Sequence, residues 1–170
     1  MGTKEQIADG LQALARMIPG IESYQNKETL RETDKQLRQT FGDRLDALAK
    51  TLSRTVYEIQ REGRLDHIDL LGRLERRLHG AADAIRFANY GYSGFFAPIK
   101  VDKGKIQRLY DYDIGLADDV SAVQAQVRML ETTHTGGVQR ESLAPLEAAI
   151  SSLENKVQKR IALFRSDDPL

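Results

Sequence analysis

The chain has 170 residues, 41 % apolar and 29 % charged, with 25 basic residues set against 25 acidic ones and no cysteine. That length suits one domain of ordinary size, which buries roughly 70 % of its unfolded surface without cross-links. The missing cysteines exclude disulfide scaffolds, thiolate metal sites and thiol nucleophiles, and a formal charge of zero runs against the basic excess that nucleic-acid binding requires.

Helical periodicity dominates and strand signals are nearly absent. A short N-terminal helix is expected over residues 3–18. Thr3 and Gln6 form a capping box, and Ile7, Leu11, Leu14 and Ile18 share one face before Pro19-Gly20 ends it. Its polar face mixes Lys4 and Arg16 with Glu5 and Asp9, so packing on the bundle or on a second chain is expected ahead of a membrane surface.

A first hairpin is expected over 28–90. Its first helix runs from about Glu28 to Glu62 on the stripe Leu30, Leu37, Phe41, Leu45, Leu48, Leu52, Val56 and Ile59, with one step of seven at its start. Gly42 interrupts it at a propensity cost of about 1 kcal/mol. After the Gly63 turn, Asp66 reads as the N-cap of a second helix through Ile68, Leu71, Leu74, Leu78, Ala82, Ile85 and Phe87 to about Tyr90.

Residues 91–101 form an aromatic crossover. Five of the chain's aromatic residues (6 Tyr and 5 Phe) fall between Phe87 and Phe96. Tyr90, Tyr92, Phe95 and Phe96 are therefore candidate partner-binding residues, because aromatics are favoured at binding hot spots. The alternative is a plug that closes the end of a bundle.

A second hairpin is expected over 102–165. Ile106, Leu109, Asp113, Leu116, Val120, Val123, Val127 and Leu130 alternate steps of three and four, with Asp113 as the one break in the apolar seam. A buried polar residue of this kind fixes register and needs a partner, for which Arg76 or Arg86 would serve. A ligand or partner site is the alternative. Gly136-Gly137 then turns the chain into a helix carrying Leu143, Leu146, Ile150, Leu153, Val157, Ile161 and Phe164, with Pro145 in its first turn. Short links force antiparallel neighbours. The expected fold is all-α, an antiparallel four-helix bundle or elongated pair of helical hairpins with the short helix beside it.

The histidines are His67, His79 and His134. Glu131 and His134 make one Glu-x-x-His step, whereas di-iron bundles need two such steps and two further carboxylates. The cluster Asp111, Asp113, Asp118 and Asp119 lacks the calcium-loop spacing, and Asp111 and Asp119 read as solvated. Arg73, Arg76, Arg77 and His79 make one basic cluster and Lys156, Lys159, Arg160 and Arg165 another. Acids intersperse the first, so a solvated face with pairs at i,i+4 is expected, with an anionic membrane or nucleic acid as the alternative. Nothing matches a phosphate loop, a nucleophile elbow or a zinc-protease helix. No catalytic residue, cofactor or metal is expected.

Ile18 to Tyr24, Arg31 to Arg38, and Arg86-Phe87 with Tyr90 to Phe96 together resemble a group of uncharacterised prokaryotic helical proteins, over roughly residues 18–116. The resemblance implies a prokaryotic source and carries no activity or site residue.

The expected function is a non-enzymatic helical scaffold or adaptor that binds a protein partner, a second copy of itself included. A peripheral membrane or envelope-stress factor is the alternative, and a cofactor- or metal-binding bundle comes third. No apolar run approaches the roughly 18 residues of a membrane span, and the first helix lacks the basic start of a signal peptide. The expected location is cytoplasmic, with peripheral attachment at the inner membrane as the alternative.

Overall fold

The computed structural model describes residues 27–88 and 103–165. The expected helix at 3–18, and Tyr90, Tyr92, Phe95 and Phe96, lie outside the described residues. Four helices make up the described chain, with no strand among its residues: α1 (Lys27–Arg61), α2 (Ile68–Arg86), α3 (Lys103–Thr133) and α4 (Arg140–Arg165). At 1.5 Å per residue they run about 52, 28, 46 and 39 Å.

The end of α1 is set by Gly63. Its φ of 73° puts it in the left-handed region. The Gly63 N–H then donates to the carbonyl of Gln60, and that of Arg64 to Ile59. This is a Schellman closure, which satisfies two carbonyls the helix leaves open. Across the turn, His67 rather than Asp66 stands before α2, itself left-handed at φ 63° and with no capping side-chain bond. The second helix also stops sooner than its apolar spacing suggests, at Arg86, with Phe87 as its C-cap. Phe87 leaves the stripe and is 71 % exposed.

Between α3 and α4 a 3-10 turn, His134–Gly136, leads to Gly137 at φ 95° and ψ 143°. Side chains with a Cβ rarely hold such backbone angles. Gly137→Ala is therefore expected to cost about 1–3 kcal/mol, read as a lower urea midpoint at unchanged slope. Because α4 already begins at Arg140, Pro145 is inside the helix and not in its first turn. Its ring leaves the carbonyl of Glu141 without the usual i+4 donor, a cost the first turn would have avoided.

The seams close within the chain. Leu37, Phe41, Leu45, Ala49, Leu52 and Ile59 of α1 meet Leu71, Leu74, Leu78, Ala82 and Ile85 of α2. Leu116, Val120, Val123 and Val127 of α3 and Leu146, Ile150, Leu153 and Val157 of α4 complete the core. On α1 the inward positions are Ala49 and Thr55, while Leu48 and Val56 are half-buried. A straight helix drifts against a strict seven-residue repeat, so alternate members of a pair turn inward along its length.

Each hairpin is antiparallel, and between hairpins α1 packs on α3 and α2 on α4. Those pairings are parallel. Residues 47, 48 and 54 of α1 climb with 124, 127 and 131 of α3 along one groove, and 77, 81 and 84 of α2 with 154, 157 and 158 of α4 along another. Helices α1 and α4 therefore face each other across a diagonal, as do α2 and α3. The start of α1 and the end of α4 share one end of the bundle with the end of α2 and the start of α3.

Candidate functional site

Near that end the apolar core is interrupted by a layer of charge. Arg160 of α4 is 1 % exposed, Asp113 of α3 0 % and Asp34 of α1 2 %. The Arg160 guanidinium donates from Nε to Asp113 Oδ1 at 2.5 Å and from Nη2 to Asp113 Oδ2 at 3.3 Å. The same Nη2 donates to Asp34 Oδ1 at 2.7 Å, across the diagonal of the bundle. Arg38, one turn along α1, donates from Nε to Asp34 Oδ2 at 3.1 Å and from Nη1 to the carbonyl of Arg86 at 2.9 Å. Two carboxylates thus meet two guanidinium groups. Arg38 also holds a carbonyl at the very end of α2, where the helix has no donor of its own left.

The partner of Asp113 is Arg160, and neither Arg76 nor Arg86. Arg76 is exposed on the outer side of α2, and Arg86 lies over α1, where it pairs with Asp43 and Asp46. Helix α2 meets this layer through its last carbonyl, that of Arg86, which accepts from Arg38.

Two positions of this layer are written in the sequence and easily passed over. Asp34 fills the step of seven between Leu30 and Leu37, four residues after one and three before the other. Arg160 stands three after Val157, where Ile161 at four continues the apolar stripe equally well. A guanidinium spreads its donors over a planar fork, so Arg160 grips Asp113 at two points while reaching Asp34 on another helix.

Burial pushes the Asp113 carboxyl above its ordinary value, Arg160 pulls it back by charge and hydrogen bonding, and the charge of Asp34 adds to the rise. A carboxyl raised in the folded state takes up its proton before the unfolded chain does. Its contribution to stability is then complete below about pH 3.8 and is lost as pH rises through the higher folded value. Relative to Asp113→Asn, the wild-type chain is therefore expected to gain stability as pH falls from neutral toward 4. Paired urea titrations across that range check it, and a wild-type chain that loses stability relative to Asp113→Asn on acidification would contradict the assignment.

Two clasps flank the layer, each built around a glycine. In the first hairpin the Arg86 guanidinium lies on Gly42, where an added Cβ would stand 2.9 Å from it. From there Nη2 reaches Asp46 at 2.7 Å and Asp43 at 3.1 Å, and His79 Nδ1 lies 2.9 Å from Asp46. Partial burial pushes the Asp46 carboxyl up, but hydrogen bonds from Arg86 and His79 outweigh it and hold the group below its ordinary value. Gly42 thus has a packing reason beyond what helix propensity tolerates. In the second hairpin Lys156 lies on Gly115, donating to its carbonyl at 2.9 Å and to Asp119 at 3.0 Å. Asp119 also accepts from Ser152.

Several residues read as solvated are engaged instead. Asp119 and Arg160 lie in these contacts, and Arg77 bridges the hairpins to Glu154 and Ser151 of α4. The pairs run between helices, not at i,i+4. Arg73, Arg76 and Asp111 are exposed, as expected.

At the far end Glu131 pairs with Arg54, while His134 lies 3.4 Å from Glu58 and its carbonyl accepts from Arg64. Glu131 and His134 thus serve different partners. Among the described residues no three His, Cys, Asp or Glu side chains gather as metal ligands, and no helix is long and apolar enough to cross a membrane.

The fold and this layer define an all-α protein, a four-helix bundle of two stacked hairpins pinned by a buried diagonal ion pair. No family model, curated protein or solved structure matches the chain.

Proposed function

We propose that the protein is a non-enzymatic helical scaffold that acts by protein–protein contact and associates with itself. The observation that supports this reading is the buried charge layer. Arg160 of α4 pairs with Asp34 of α1 and Asp113 of α3, which ties the two hairpins together in the core. Shifting α4 by one turn would leave Arg160 against apolar side chains and take its guanidinium away from Asp34 and Asp113. Breaking a buried pair costs several kcal/mol, so register is strongly enforced. A rigid body of fixed register is what a scaffold offers its partners.

The aromatic residues Tyr90, Tyr92, Phe95 and Phe96 are proposed as the contact for a protein partner. The test is recovery of a stoichiometric partner by the purified full-length chain from its native host, repeated with Phe95→Asp. Loss of that partner at an unchanged melting temperature supports the docking assignment. Unfolding of Phe95→Asp makes the segment a core plug and removes it. Failure of the wild-type chain to bind any partner, itself included, ends the scaffold reading.

A further inference from the structure

We infer that the outward face of α2 is the surface by which two copies of this chain associate, antiparallel about a two-fold axis at Gly80. The inference rests on the scaffold reading above and names its self-contact.

Arg73, Arg76, Gly80, Asp83 and Phe87 are all exposed, and their steps of three, four, three and four repeat the spacing of a packing seam on the side of α2 turned away from the core. A solvated face has no need of that composition. It carries a glycine at its centre, which costs about 1 kcal/mol in a helix interior. It also ends in a phenylalanine that is 71 % exposed. Among the described residues an added Cβ at Gly80 would meet nothing within 4 Å, so their packing does not require the glycine there. The absence of a side chain serves close approach from outside.

The charges complement themselves in one orientation. Around a two-fold axis at Gly80, residue i of one copy faces residue 160 − i of the other. Arg73 then comes level with Phe87 of the second copy, and Arg76 lies beside its Asp83. Arg86 already covers one side of the Phe87 ring, 6.0 Å from its centroid, and Arg73 would take the other by the same cation–π attraction. Neither Arg73 nor Arg76 has an ion pair among the described residues, whereas their neighbours Arg77 and Arg86 do. A parallel pairing would instead stack Arg73 on Arg73 and Arg76 on Arg76, which like-charge repulsion forbids. Isologous contacts of this kind close as dimers.

Helix α2 is only 19 residues long. A contact confined to one face of a helix this short belongs with the small, transient interfaces, so association is expected at micromolar concentrations or above.

Sedimentation equilibrium of the full-length chain, from about 10 µM to about 1 mM, reads this directly. The wild-type mass is expected to rise from monomer toward dimer across that range. Gly80→Leu fits the monomer and favours the helix, so its melting temperature should hold or rise while association weakens about ten-fold or more. Arg76→Asp and Asp83→Arg should each weaken association, and the double exchange should restore it. A wild-type chain that stays monomeric at the top of the range overturns the inference. So does a Gly80→Leu chain that dimerises as the wild type does. In that case self-association and the scaffold reading stand, and this surface alone falls.

Discussion

Arg160→Leu is expected to destabilise the protein by about 3–5 kcal/mol at neutral pH, because it strands Asp34 and Asp113 as buried carboxylates without their shared cation. That is a large share of the 5–15 kcal/mol by which a domain is ordinarily stable, so partial unfolding at 37 °C should follow. The companion variant is the triple replacement Asp34→Leu, Asp113→Leu and Arg160→Met. Replacing buried charges together by apolar residues is often neutral or stabilising, since the desolvation of all three disappears at once, while the more exposed Arg38 loses Asp34 but keeps its bond to the Arg86 carbonyl. Urea unfolding of the two variants should therefore diverge sharply, the single change falling and the triple change recovering. If both fall alike, the layer contributes packing and not charge balance. If Arg160→Leu is silent, the layer does not hold the bundle.

Phe41→Ala is the second large effect, about 3–5 kcal/mol, from lost transfer energy and the cavity left behind. Phe41 is 1 % exposed and sits on the α1 seam among leucines. Phe87→Ala, by contrast, should move stability by no more than about 0.5 kcal/mol, because the ring lies at the surface. Thermal or urea denaturation separates the two variants. Equal losses would mean that the end of α2 is more deeply packed than its exposure indicates.

These two phenylalanines show where sequence patterning stops. Phe41 lies on the three-and-four spacing of the α1 stripe and is buried. Phe87 follows Ile85 by two residues, off that spacing and in line with exposed Gly80 and Asp83, so counting it with the apolar stripe of α2 does not bury it. Periodicity reports a face, and it does not report which neighbour covers it. Asp113 carries the same lesson. Its inward position follows from the spacing of α3 alone, yet arginines on α2 were the natural partners to expect and Arg160 on α4 is the one it has. Choosing among cations requires knowing which helices share a level, and that depends on how far each helix extends. Asp34 was legible in principle as the missing member of a step of seven, but a lone charge in a gap reads as a break until its counter-ion is located.

The glycines divide in the same way. Gly63 and Gly137 announce turns from their positions between periodic segments, and both have positive φ. Gly42 and Gly115 look like defects in helices until Arg86 and Lys156 are seen resting on them.

By itself the sequence determined the four helices, their approximate ends, the two hairpins and the inward direction of Asp113, because 3.6-residue periodicity and turn chemistry are local. The tertiary structure alone decided that α1 packs beside α3 and α2 beside α4, that Asp34 and Arg160 meet across the diagonal, and that Phe87 faces solvent. Those outcomes depend on lateral packing between segments far apart in the chain. An amphipathic stripe specifies that a helix must be covered, and many neighbours can cover it. A buried arginine that requires two carboxylates accepts far fewer arrangements.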